Sequence, residues 1–481
     1  MSARHLLLCL LGALPLPAAE IAVNDSAEIA RAMSKAAPGD TLVMRDGAWT
    51  DQAIVFKGEG QPGQPITLRA ATPGSVVLDG RSRLQMAGRH LVVDGLWFKG
   101  AQPAADVVEF RVGSKAVAVD CVLRNTAITG CNPADLKTTQ RWISLYGTNN
   151  TVESCYLADK RNAGTTLVVW VDPATPNGHV IRRNHFGPRP RLGTNGGETI
   201  RVGDSNTSPF NSRTLVEGNL FERCNGEAEI ISNKSCENIY RGNTFSACEG
   251  ALTLRHGKRS LVEGNFFLGQ NQAKTGGVRV IDAGHTVVNN YFADLTGDGP
   301  RSALTMMNGR VNSPLNGYFQ VRDALVAFNT FVNCRHNFLI GQPDGRETLA
   351  PEHCVIANNL VRATHGPIVE IVTPPREFTW RGNLFAGAAA GLETEGIASV
   401  DPRLVADAEG LWRPAADSPA RDVAVSEDEV AAFDMDGQPR PPTKRDIGAD
   451  EASDAPRTRR PLQPREVGPA WLPLVMRATS R

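Results

Sequence analysis

Two acidic residues at alternate positions make one segment of the chain a candidate metal site. Glu227 and Glu229 flank Ala228 and lead into an apolar run. If the segment is a strand, both carboxylates project from one face about 7 Å apart, while Ala228 and Ile230 point inward. Such a pair repels unless a cation lies between, and oxygen ligands of this charge suit Ca²⁺. Without a ligand, the pair would be a solvated strand face.

Asn195, in segment 195–201, adds a candidate oxygen ligand one extended repeat upstream of the acidic pair. Asparagine followed by two glycines is also the composition of an ordinary turn. The sequence by itself leaves both interpretations open.

Basic residues follow the acidic pair at intervals that place them on the same surface. In segment 252–257, leucine alternates with threonine and arginine, which predicts that Arg255 faces outward. Arg279 follows Arg255 by the length of one short repeat, so we expect the two to stack in register, within one or two repeats of Lys234. Stacked like charges repel, which suits the binding of an acidic polymer better than a purely structural role.

A short repeat organises the chain around these segments. An apolar run is followed by asparagine and, two residues later, by an aromatic or apolar residue. The repeat asparagines are Asn184, Asn219, Asn243, Asn265, Asn290, Asn329, Asn359 and Asn383. The shorter intervals, such as that from Asn219 to Asn243, fit one coil of a parallel β-helix with three strands. The longer ones, such as that from Asn290 to Asn329, fit coils with inserted loops.

The repeat makes specific structural predictions. The asparagines should form a ladder of side-chain amides at one turn and adopt its left-handed conformation. The phenylalanines two residues later should stack inside. Cys224, Cys248 and Cys334 each lie at the same distance after a repeat asparagine, which indicates a column of buried thiols rather than disulfides.

The two ends of the repeat region differ from it. Segment 26–36 predicts a short capping helix with Ile29, Met33 and Ala36 on one face. Residues 451–481 are rich in arginine and proline and are interpreted as a poorly ordered tail. Residues 20–450 would then form the β-helix domain.

Four short motifs occur in order along the chain: Asn-Gly-Gly-Glu (195–198), Glu-Ala-Glu-Ile-Ile-Ser-Asn-Lys-Ser (227–235), Leu-Arg-His-Gly (254–257) and Gly-Gly-Val-Arg (276–279). In this order they resemble polysaccharide lyase family 6, which contains alginate lyases and chondroitinase B. The resemblance covers about residues 22–450 and implies an all-β, single-domain, right-handed parallel β-helix. It also implies site roles: Ca²⁺ binding by Asn195, Glu227 and Glu229, a base at Lys234, an acid at Arg255, and substrate contacts by Arg279 and His256.

The implied reaction is β-elimination of a 4-linked uronate polymer, and alginate is the leading candidate substrate. A lyase of chondroitin or dermatan sulfate is the alternative within the enzyme class. A non-catalytic glycan-binding β-helix is the alternative outside it, with Trp142 and Trp170 as candidate platforms, although the sequence favours core positions for both.

Charge and targeting signals limit the partners and the location. Lys plus Arg and Asp plus Glu are both 51, so the chain has no overall field to attract nucleic acid or an anionic membrane. Residues 1–19 have the basic start, short apolar run and small residues of a signal peptide. We therefore expect a periplasmic or secreted protein.

Overall fold

The computed structural model describes residues 18–425 and 431–473 of the chain. Within these residues, three sheets of 14 strands lie side by side, and the chain visits each sheet once per coil. Strands pair with their counterparts one coil away, almost always in parallel. The structure is therefore the parallel β-helix that the repeat predicted. No helix in the described ranges is long and apolar enough to cross a membrane.

The three sheets have the following strands. The first sheet contains Glu20–Val23, Thr41–Met44, Ile66–Ala70, Leu91–Asp94, Val122–Arg124, Thr151–Glu153, Val180–Arg182, Leu215–Glu217, Ile239–Arg241, Leu261–Glu263, Thr286–Val288, Leu325–Ala327, Val355–Ala357 and Thr379–Arg381. The second contains Ala53–Glu59, Arg83–Arg89, Val108–Glu109, Arg111–Val112, Ala116–Val119, Ile143–Leu145, Leu167–Val169, Ile200–Gly203, Glu229–Lys234, Gly250–His256, Thr275–Val280, Leu304–Met307, Phe338–Gln342 and Val369–Ile371. The third contains Gly47–Thr50, Val76–Asp79, Leu96–Lys99, Ala127–Thr129, Tyr156–Ala158, His185–Phe186, Leu220–Glu222, Thr244–Ser246, Phe266–Leu268, Tyr291–Ala293, Thr330–Val332, Leu360–Arg362, Asn383–Ala386 and Ile397–Ala398.

The predicted asparagine ladder is present. Each repeat asparagine from Asn184 to Asn359 donates its amide to the side-chain oxygen of the next, at 2.9–3.0 Å. The same oxygens accept backbone N–H groups, for example that of Asn219, which donates to Asn243 at 3.0 Å. The ladder therefore satisfies buried polar groups of the turn in successive coils.

The sequence predicted that the asparagine itself would adopt the left-handed conformation of this turn. In the structure, the residue before the asparagine adopts it. Positive φ occurs at Arg183, Gly218, Gly242, Gly264, Asn289, Phe328, Asn358 and Gly382. Because the asparagine directs its side chain inward along the ladder, the sharp change of direction falls one residue earlier.

Aromatic rings and thiols fill the interior as predicted. Phe186, Phe221, Phe245, Phe267, Phe292 and Phe331 form a stack with ring centroids 4.5–4.9 Å apart. The described cysteines are all buried and free, and Cys248 Sγ accepts the backbone N–H of Cys224 at 3.3 Å. Trp142 is also fully buried, so it is a core residue and not a glycan platform.

The capping helix is shorter than expected. It spans Ser26–Met33, and the Asp25 side chain caps it by accepting the backbone N–H of Glu28. Ile29 is completely buried against the first coils.

Residues 451–473 differ from the poorly ordered tail expected from their composition. This stretch, which includes the 3-10 turn Pro464–Glu466, runs back along the outside of the β-helix. The indole of Trp471 donates to the carbonyl of Asn125 at 2.8 Å and lies 5.9 Å from the ring of Trp97. The backbone N–H of Leu462 donates to the hydroxyl of Thr244. The expected signal peptide lies outside the described residues, apart from residues 18 and 19.

Candidate active site

The residues of the four motifs meet on the outer face of the second sheet. Strands Ile200–Gly203, Glu229–Lys234, Gly250–His256 and Thr275–Val280 are consecutive in that sheet. Their inward residues, such as Ile231, Leu252 and Val278, are buried in the core, so the alternate residues face outward. The coil spacing therefore brings the four motifs together in one region of the β-helix.

The pairing of the two arginines differs from the prediction. Arg279 pairs with Thr253, and not with Arg255, which lies two residues farther along the same strand. A register shift between Gly250 and Leu252 absorbs the difference. The interval of one short repeat thus gave the wrong register, although both arginines do face outward.

Lys234 is held at the end of its strand by a buried polar group beneath it. The amide of Asn233 donates to the backbone oxygens of Ser235 and His256, and its oxygen accepts from Asn238 and Tyr240. These bonds tie the end of Glu229–Lys234 to the last residue of the next strand. The side chain of Lys234 has no ion pair or hydrogen bond among the described residues, and is half-buried.

Glu227 lies in the bend before the strand, and not on the strand face as predicted. Its Oε2 accepts the backbone N–H groups of Gly196 and Gly197 at 2.8 and 2.9 Å. Burial raises its pKa to about 7, and the charges of Glu198 and Glu229 act in the same direction. Ala228 is only half-buried, so it does not point into the core as expected.

Close backbone contact fixes this bend against the loop of Asn195. A Cβ on Gly197 would lie 2.3 Å from the oxygen of Gly226, and one on Gly226 would lie 2.0 Å from the oxygen of Gly197. The buried guanidinium of Arg189 donates to the carbonyls of Asn162, Gly164, Gly196 and Glu198. Glycine and a buried arginine thus hold the Asn195 loop one coil from Glu227.

Glu229 joins the acidic group to both arginines. Its Oε1 lies 3.6 Å from Arg255 Nε and 3.6 Å from Arg279 Nη1. Its Oε2 accepts the hydroxyl of Ser232 at 2.5 Å. The carboxylate is therefore oriented from two sides, and it brings Arg255 and Arg279 together despite their different register.

Tyr318 covers the two arginines and was not identified from the sequence. It comes from the inserted loop between Leu304–Met307 and Leu325–Ala327. Its ring centroid lies 4.1 Å from Cζ of Arg255 and 5.3 Å from Cζ of Arg279. Its hydroxyl donates to Asp344 at 2.6 Å and accepts from Arg279. Burial raises the pKa of Tyr318 to about 12, so the phenol stays neutral and keeps both bonds.

His256 lies beneath the outer surface. It is 1% exposed, and its Nε2 is 3.4 Å from the hydroxyl of Ser205. Burial, with Arg255 and Lys234 nearby, lowers its pKa to about 3. The imidazole is therefore neutral at ordinary pH, and its contact with a substrate stays a prediction.

The side-chain oxygens of Asn195, Glu227 and Glu229 are of the type that binds a divalent cation. Asn195, Glu227, Glu229 and Arg279 line one cavity of about 480 Å³. Behind it, Glu198 is 3% exposed, and its Oε2 is buried without a hydrogen-bond partner. The unpartnered oxygen of Glu198, next to the raised pKa of Glu227, favours a cation among these carboxylates.

The acidic oxygens around Glu227 are spread rather than tightly clustered. Among the described residues, Asp434, Asp436 and Asp450 are the group of three whose oxygens lie within 4.8 Å of one another. There Arg413 pairs with Asp436 and Asp450 and supplies the positive charge itself. That cluster lies near the C-terminal segment and is separate from the candidate active site.

Comparison with known proteins identifies the family. The chondroitinase B family description matches residues 23–362. A mannuronic acid specific polysaccharide family 6 lyase from human gut microbiota is 32% identical, with a TM-score of 0.72, over 79% of this chain and 91% of that one. The chain belongs to polysaccharide lyase family 6.

Other solved members of family 6 agree with this assignment. The PL6 family alginate lyase AlyGC is 37% identical, with a TM-score of 0.78, over 83% of this chain. The present chain spans 56% of the length of AlyGC. The polysaccharide lyase Pedsa3628 from Pseudopedobacter saltans is 26% identical, with a TM-score of 0.72, over 94% of this chain and 99% of that one. A comparison with curated proteins gives no significant match.

Proposed function

We propose that this protein cleaves alginate by Ca²⁺-assisted β-elimination. The observation that carries the proposal is the placement of Lys234 and Arg255 on neighbouring strands in a member of a lyase family, with Arg255 paired to Glu229, which lines the cavity. An amine base and a guanidinium next to an acidic metal site are the groups that elimination from a uronate requires.

Lys234 and Arg255 act on different atoms of the substrate. Lys234, in its uncharged form, accepts the proton at C5 of the uronate, and the electron pair forms the double bond between C4 and C5. The bond from C4 to the glycosidic oxygen breaks, and Arg255 stabilises the leaving oxygen. Because a guanidinium stays charged, water delivers the proton to that oxygen. The product is an unsaturated uronate end.

The proton at C5 is weakly acidic because it lies beside a carboxylate that is already charged. A Ca²⁺ ion held by Asn195, Glu227 and Glu229 would bind that carboxylate and spread the developing charge. The unpartnered oxygen of Glu198 supports this assignment. Arg279, beside Glu229, would contact the same substrate carboxylate.

Alginate is the favoured substrate because the alginate lyase AlyGC, at 37% identity, and a mannuronic acid specific lyase, at 32% identity, are both relatives of this chain. Chondroitin or dermatan sulfate is the second candidate, because the matching family description is chondroitinase B. Both are acidic polysaccharides found outside the cell, which agrees with the proposed export to the periplasm or medium.

A single assay separates the candidates. Purified protein is incubated with alginate, chondroitin sulfate or dermatan sulfate, and the ultraviolet absorbance of the conjugated double bond is followed. The proposal expects absorbance to rise with alginate and to stop rising when a chelator is added. Absorbance that rises only with the sulfated polymers would favour the second candidate, and none with any polymer would favour simple glycan binding.

A further inference from the structure

A column of aromatic rings and guanidinium groups continues from the site toward the N-terminal coils. Trp170 follows strand Leu167–Val169, whose last residue pairs with Val202, so Trp170 lies beside Gly203. Gly203 in turn pairs with Lys234. Trp170 therefore occupies the same outward row as Lys234, two coil spacings away, or about 10 Å.

Gly203 keeps the surface between them open. A Cβ there would lie 2.4 Å from the backbone oxygen of Lys234, so no side chain can fill this position without moving the neighbouring strand. The surface between Trp170 and Lys234, called the groove below, therefore carries no side chain at Gly203.

Trp170 holds two guanidinium groups against its ring. Cζ of Arg141 lies 5.0 Å and Cζ of Arg201 lies 5.3 Å from the ring centroid. The ring is also stacked on Tyr146, with centroids 5.7 Å apart and planes 12° from parallel. Cation–π contact and stacking thus fix the two arginines on the same face as Lys234.

The charge of Arg201 is poorly compensated. It forms no ion pair within 4.0 Å among the described residues, and its Nε is buried without a hydrogen-bond partner. Burial lowers the pKa of Arg201, although Glu198 and Asp204 act against this shift. Arg141 also has a buried Nε without a partner, and its nearest carboxylate oxygen, of Asp106, is 3.9 Å away.

The opposite direction along the groove is covered. Tyr318 lies over Arg255 and Arg279, and the next outward residues on that side, Thr305 and Leu339, are buried. On the N-terminal side, Arg201, Trp170 and Arg141 are all half-exposed. A polymer that reaches Lys234 and extends along the axis therefore has room over these three residues.

We propose that Arg201, Arg141 and Trp170 form a binding subsite for the uronate residue that adjoins the reacting one on the side away from the broken bond. Arg201 binds the carboxylate of that sugar with its free donors, Arg141 contributes a second guanidinium, and Trp170 positions both. A planar fork of donors matches a carboxylate, and successive coils match successive sugars of an extended chain. This inference rests on the proposed function of the site.

The test compares Arg201→Ala with the wild-type protein on alginate oligomers of increasing length. Loss of a carboxylate contact should lower kcat/KM by about 10-fold to 100-fold on oligomers long enough to reach the subsite, mainly through KM. The shortest oligomer that is cleaved should be unaffected. Arg201→Lys keeps the charge but not the planar pair of donors, so its kcat/KM should lie between those of the wild type and Arg201→Ala. Trp170→Leu should show the same dependence on oligomer length as Arg201→Ala.

Arg213→Ala is the matched control, since Arg213 lies outside the second sheet and pairs with Glu237 on the surface. It should behave as the wild type at every length. If Arg201→Ala loses the same factor at all lengths, or loses nothing, while the wild type is active, the subsite is wrong. If the wild type cleaves no uronate oligomer, the proposed function itself fails and the subsite with it.

Discussion

At the scale of single residues, Glu198 is the buried carboxylate next to Glu227 in the candidate site. Its charge adds to the effect of burial in raising the pKa of the neighbouring Glu227, and its Oε2 has no hydrogen-bond donor. Glu198→Gln should lower Ca²⁺ affinity about tenfold or more, because charge near a cation site contributes to its affinity. Calorimetric titration of the metal-free protein with Ca²⁺ measures this directly, and unchanged affinity would remove Glu198 from the site.

A second residue-scale prediction concerns buried histidines away from the site. Burial lowers the pKa of His285 to about 4, and its ring accepts from Ser260 and bonds to the oxygen of Ile281. Below about pH 6.5 the unfolded chain takes up a proton that the folded chain does not, so stability falls as pH decreases toward 4. From pH 7 to pH 5, His285 alone contributes a loss of about 2 kcal/mol. Urea unfolding at both pH values checks this, and His285→Gln should show a shallower decrease than the wild type.

At the scale of elements, the asparagine ladder should be a main source of stability. Asn243 accepts from Asn219 and donates to Val216 and Asn265. Asn243→Ala would leave buried groups unpaired on both sides and lower the free energy of unfolding by about 3 kcal/mol. Denaturant unfolding measures this, with the exposed Asn206→Ala as the control. Equal stability of the two variants would contradict the role of the ladder.

The repeated features of the strands and turns were predictable from the sequence, whereas two local irregularities were not. The ladder, the phenylalanine stack and the buried thiols were predictable because identical side chains recur once per coil. The register of Arg279 on Thr253 was not, because a bulge next to Gly250 shifts one strand without any change of composition. Glu227 was misplaced for a related reason: its backbone bends to meet Gly196 and Gly197, which the alternation of residues does not record.

Tyr318 and Asp344 illustrate a different limit on prediction. Both come from loops inserted between repeats, where no periodicity fixes position. The bond between them, and the ring of Tyr318 over Arg255, depend on how these loops fold back over the second sheet. The motifs thus located the candidate site, but not the residues that cover it.

At the scale of the whole molecule, the C-terminal segment acts as a strap along the β-helix. Trp471 packs on Trp97 and donates to Asn125. Trp471→Ala should lower stability by about 2 kcal/mol, measured by thermal unfolding, and should leave the rate of alginate cleavage unchanged because the strap lies on another face. A loss of activity without a loss of stability would show that the strap contributes to the site.

The proposed reaction begins with proton removal by Lys234, and replacing this residue is the most direct test. The rate of double-bond formation from alginate is measured for the wild type and for Lys234→Ala, with binding of the polymer measured alongside. The variant should bind alginate but form product about 100-fold to 10,000-fold more slowly. A variant that binds and cleaves alginate as fast as the wild type would contradict this role of Lys234.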